Sequence, residues 1–166
     1  MIRGIGPRDQ NDVERSLAVG AVRWGAAIFL ALHGWLHWGM ASAAQRPGAF
    51  RIPSLWGPDY ASPVLDGIGL GALSQLLGGG LWLVAAVGFV LAGLGVVRIV
   101  VPAAWTRVLA LVAAAASLLL LWLFWTDPVW IGAIISAGIA LVALAGPAVV
   151  RLARPRLRRT EHPRVA

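Results

Sequence analysis

The chain has 166 residues, 59% of them hydrophobic and 13% charged, with a mean hydropathy of +0.79. A soluble domain carries about a quarter charged residues, and so short a chain has no aqueous core large enough to bury this much apolar surface; lipid is the expected solvent. The net charge of +7 comes from fourteen arginines against seven acidic residues, and the lack of cysteine excludes disulfides, thiolate catalysis, iron–sulfur ligation and zinc–thiolate sites.

The N-terminal segment, residues 1–23, is polar and holds Arg3, Arg8, Arg15 and Arg23. It reads as a cytoplasmic tail. A first apolar span follows over residues 24–44, with a possible earlier start near Leu17 if Arg23 snorkels back to the headgroups. Ala41-Ser42-Ala43 imitates a signal-peptide cleavage site, but the apolar run and its leader are both long for that role. An uncleaved span is expected.

Inside this span stands HGWLHW, residues 33–38. His33 and His37 are four apart and share one face of a helix. Counting about 1.5 Å per residue from Trp24 places His33 near mid-membrane and His37 toward the outer side. Ionisable residues within a membrane usually face the bundle interior and are candidates for function. The structural alternative is a neutral imidazole hydrogen-bonded to a neighbouring helix. A metal site would take His33 and His37 plus a carboxylate from Asp59, Asp66 or Asp127, all expected on the outer side. Haem, a chlorophyll-type pigment, copper or quinone are the cofactors two such histidines could serve, and proton relay is a further use. Trp35 and Trp82 lie deeper than the other tryptophans and are the aromatic candidates for lining a ligand.

Residues 45–75 form the one long connection. Loops beyond about 12–15 residues are usually functional or disordered, and Trp56 and Tyr60 argue for an ordered cap on the membrane surface. Val64 to Leu77 is apolar enough for a short interfacial or re-entrant helix, with Ser74 and Gln75 at the outer mouth of the bundle. The second span is expected over 76–101, the third over 104–125 and the fourth over 129–150. Pro102 separates the second and third; Asp127-Pro128 reads as an N-cap and first helical position for the fourth. Small residues on the second and third spans, and Gly132, Ser136 and Ala140 every four residues on the fourth, predict close helix packing. Residues 151–166 form a basic tail suited to anionic lipid.

Arginine placement orients the bundle. Twelve arginines fall in the two tails and the turn holding Arg98 and Arg107, against Arg46 and Arg51 in the long loop. Both termini are therefore expected in the cytoplasm. Trp24 and Trp105 fall at the inner boundary, with Trp38, Trp122, Trp125 and Trp130 near the outer one, an aromatic-belt pattern. A sequence pI near 11.7 also suits a nucleic-acid binder, but charge confined to membrane flanks explains it, and no nucleic-acid partner is expected.

The runs ALHGWLHWGMA, GLWLVAAVGFVLAG and FWTDPVWIGAIISAGI resemble small four-helix bacterial membrane proteins with an LHGxxH first helix, often labelled permease, and more loosely DoxX-like proteins. The resemblance spans most of residues 20–145 and implies the architecture; it brings no substrate and no catalytic residues. Ser136 stands where the resemblance implies an asparagine, which weakens the expectation of a polar cluster on the fourth helix. The expectation is thus an all-α polytopic membrane protein, a four-helix transmembrane domain over 24–150 in a bacterial cytoplasmic membrane. Its expected role is non-catalytic, as an accessory subunit or small permease-like component assembled with itself or a larger complex. The alternative is a redox protein binding haem, pigment, metal or quinone through His33 and His37.

Overall fold

The computed structural model describes residues 7–43, 62–124 and 130–159. Every regular element in it is helical: α1 (Pro7–Ala43), α2 (Pro63–Gly67), a 3-10 turn (Gly71–Leu73), α3 (Ser74–Val97), α4 (Ala103–Leu123) and α5 (Trp130–Arg159). Among the described residues three stretches are long and apolar enough to cross a membrane: Asn11–His37, Gly71–Val97 and Ala103–Leu123; the apolar part of α5, Trp130–Gly146, is shorter.

The helices run beyond the apolar windows at both ends of the chain. Pro7 opens α1, a position where the missing N–H costs nothing, and the helix passes through the polar segment without interruption. Arg23 reaches across to α3. Its guanidinium donates to the Val96 carbonyl of α3 from Nη2 (2.8 Å) and Nε (3.2 Å), supplying a partner near a helix end whose last carbonyls lack one. At the other end α5 continues past Gly146-Pro147 to Arg159.

The second expected span, α3, stops at Val97 rather than at residue 101 because the chain must turn sharply into α4. Arg98 adopts a left-handed conformation (φ 62°), and the Ile99 amide closes onto the Leu94 carbonyl at 2.9 Å, the usual way to satisfy a C-terminus. Val100 is also left-handed (φ 63°), a strained choice for a β-branched residue. Pro102 then precedes the first turn of α4.

The end of the long connection is ordered. Ser62 caps α2 by accepting from the Leu65 amide, its hydroxyl donates to the Leu123 carbonyl at the end of α4, and its own amide donates to Ser74 Oγ (3.1 Å). Leu65 beneath it is buried with Trp82, Leu120, Leu123 and Phe124. One serine thus pins the entry to α3 onto the end of α4.

α1 packs on α3, α3 on α4 and α4 on α5; no comparably broad contact joins α5 back to α1. The packing is inside-out relative to a soluble protein. The core holds Ala85, Ala92, Ala110, Ala113 and Ala114 with Phe89, whereas Leu32, Val87, Val112, Leu119, Ile134 and Leu141 are exposed. Lipid is as apolar as leucine, so the interior is filled by residues that let backbones approach. Gly34 and Gly93 do this reciprocally: a Cβ on Gly34 would lie 2.6 Å from the Ala86 carbonyl oxygen, and one on Gly93 2.7 Å from that of Ala27. The Gly132/Ser136/Ala140 stripe faces inward as expected, with Gly132 against Leu121, Ser136 buried and Ala140 on the core. Trp24, Trp105, Trp122 and Trp130 are all exposed, as lipid-facing anchors must be.

Candidate functional site

The close contact between α1 and α3 at Gly34 presses the flanking turn of α1 against Phe89 and turns both histidines inward. His33 and His37 are buried, at 6% and 5% exposure. Their rings meet edge to face with centroids 5.0 Å apart. Phe89 of α3 lies edge-on to His33 (4.7 Å) and parallel to His37 (5.9 Å), Trp82 meets His37 at 4.9 Å, and Phe29 lies parallel to His33. Aromatic walls therefore surround both imidazoles.

Two fully buried serines complete the site. His33 Nε2 lies 3.3 Å from Ser136 Oγ of α5, Ser136 Oγ 2.8 Å from Ser117 Oγ of α4, and Ser117 Oγ 3.2 Å from His37 Nε2. A continuous chain, imidazole–hydroxyl–hydroxyl–imidazole, runs from α1 through α5 and α4 back to α1. Proton counting constrains it. With both rings neutral, three links need three protons and the two hydroxyls supply two. The third comes from Nε2 of one histidine, so the two imidazoles are opposite tautomers: one carries its proton on Nε2, the other on Nδ1. Reversing the chain's polarity exchanges their roles. His37 Nδ1 is buried without a partner among the described residues.

The residues singled out by sequence separate here. His33 and His37 come together, and Trp82 joins them. Trp35 does not: it is 66% exposed and lines a shallow groove with Val87 and Leu91 on the outside of the α1–α3 pair. The helical turn that directs positions 33 and 37 inward directs position 35 outward. Asp66 is exposed on α2, its carboxylate lying over Gly71. Asp59 and Asp127 lie outside the described residues. Among the described residues no three His, Asp or Glu side chains gather as a metal site. Ligation through Nε2 of either histidine would first have to break a bond to serine.

Ser117 was visible in the sequence only among the small residues of the third span, and Ser136 as part of a small-residue stripe and as a stand-in for asparagine. The signal that marks them is chemical isolation, since each is a lone hydroxyl in a long apolar run. Ser136 brings α5 into the polar cluster without an asparagine.

Comparison of the chain with family models, with curated proteins and with solved structures finds no match.

Proposed function

We propose that the chain is a non-catalytic integral component of a bacterial cytoplasmic membrane, an accessory subunit or small permease-like module that works assembled with itself or with a larger complex. The observation that carries this reading is the closed His33–Ser136–Ser117–His37 chain. It uses Nε2 of each ring for helix–helix hydrogen bonding and sheathes both in aromatic side chains, which is how a membrane bundle locks its register. Four helices are few for a self-contained transporter, many of which are built from repeats of several helices; assembly answers that shortage. The arginine-rich connections favour cytoplasmic termini, and the basic C-terminal tail suits anionic lipid.

The test is a detergent-purified full chain examined by native mass spectrometry, absorption spectroscopy and elemental analysis. Oligomeric or hetero-oligomeric species without a chromophore or stoichiometric metal are expected. A visible band or bound metal lost in His33→Ala or His37→Ala would replace this reading with a redox protein holding haem, pigment, metal or quinone. Single-cysteine labelling at both termini from either side of sealed vesicles tests the orientation.

A further inference from the structure

The narrow contact between α5 and α1 leaves a groove of about 720 Å³, lined by Phe29 of α1, Val96 of α3, Arg107 and Ala110 of α4, and Gly138 and Ile139 of α5. That is within the range of small-molecule sites, roughly 300–1,000 Å³. Its walls are almost wholly hydrocarbon, and its single charge is Arg107. Arg107 has no ion-pair partner among the described residues. The nearby Arg23 is bonded to the Val96 carbonyl and adds positive field at the same end. At the other end Phe29 lies against His33, where the histidine–serine chain ties α1 to α5 and closes the gap.

The dimensions point to one kind of occupant. On α5 the lining runs from Ile135, next to Ser136 of the clasp, to Ala143, eight residues of helix or about 12 Å at 1.5 Å per residue. That is most of one leaflet of a hydrocarbon core about 30 Å thick. We propose that this groove is a binding site for one anionic phospholipid of the bilayer, its phosphate paired with Arg107 and one acyl chain running between α1 and α5 to the clasp. The length matches most of an acyl chain that starts at the headgroup level and stays within one leaflet, and the lone unpaired guanidinium matches an anionic phosphate. The site requires that the helices lie in a bilayer but no protein partner, so lipid binding and assembly succeed or fail separately.

The test uses the full chain in detergent, supplemented with phosphatidylglycerol or phosphatidylcholine and read by native mass spectrometry for lipid retained per chain. One phosphatidylglycerol is expected, in preference to phosphatidylcholine. Arg107→Gln should cut that preference about fivefold, the worth of one arginine near a membrane surface, while Arg107→Lys preserves most of it. Gly138 has open space where a Cβ would stand, so Gly138→Leu should fill the groove and abolish retention with helical circular dichroism and melting unchanged. Equal retention of both lipids by the native chain, or full retention by Gly138→Leu, would overturn the proposal. So would loss of the preference on replacing Arg154, Arg156, Arg158 and Arg159 with Gln while Arg107→Gln keeps it, because the lipid would then sit on the tail.

Discussion

Four side chains hold the centre of this molecule, and their stoichiometry makes them testable. Ser117 and Ser136 each take part in two of the three links, whereas each histidine takes part in one. Hydrogen bonds between membrane helices average about 0.6 kcal/mol, so Ser117→Ala or Ser136→Ala should each lower stability by about 1 kcal/mol in detergent unfolding. The double variant should fall short of the sum by about the worth of the shared link, roughly 0.6 kcal/mol. Full additivity would show that the hydroxyls do not touch. Nitrogen-15 NMR of histidine-labelled protein gives a second check at the same scale. Signals of one Nε2–H and one Nδ1–H imidazole are expected; two identical tautomers would break the chain.

At the level of elements, glycine acts in two opposite ways. Gly34 is where α1 and α3 touch, and a methyl group there meets the Ala86 carbonyl. Gly34→Ala should therefore cost about 1–3 kcal/mol for overpacking, offset in part by about 1 kcal/mol of helix propensity. Gly25, on the same helix, faces open space, and Gly25→Ala should be neutral or stabilising by up to about 1 kcal/mol. Thermal melting of the two variants side by side checks the contrast. Because Gly34 sits inside the LHGxxH pattern, it also explains that pattern physically: the glycine brings α1 close enough for both histidines to rest on Phe89. In the short cap, Ser62→Ala removes both the N-cap of α2 and the bond to Leu123. A loss of about 0.5–2 kcal/mol is expected from the cap alone.

For the whole molecule, the decisive property is which solvent its surface meets. Val112, midway along the outer face of α4, is 51% exposed. In water Val112→Asp would be harmless; in a bilayer it should cost about 2.5–3.5 kcal/mol and deplete the protein from the membrane fraction. Undiminished membrane recovery would contradict the embedding of α4. The groove and the clasp divide the α1–α5 side between them, one half open to a lipid chain and the other closed by hydrogen bonds. Neither half is visible from a single helix.

Much of this was legible before any tertiary contact was known. The apolar runs show helices, because a backbone in lipid must satisfy its own hydrogen bonds, and the four-residue spacing of His33 and His37 assigns them to one face. Small residues at every fourth position of α5 announced its inner stripe. Only the tertiary structure decided what the histidines touch, since Ser117 and Ser136 lie 80 and 103 residues from their imidazole partners. It also decided that Arg23 binds the end of α3 and that α5 meets α1 only narrowly. The physical reason is common to all three. Periodicity and hydropathy are properties of one helix, and they determine what must be buried. Partners are chosen by how helices pack against each other, which depends on atoms that are distant in the chain.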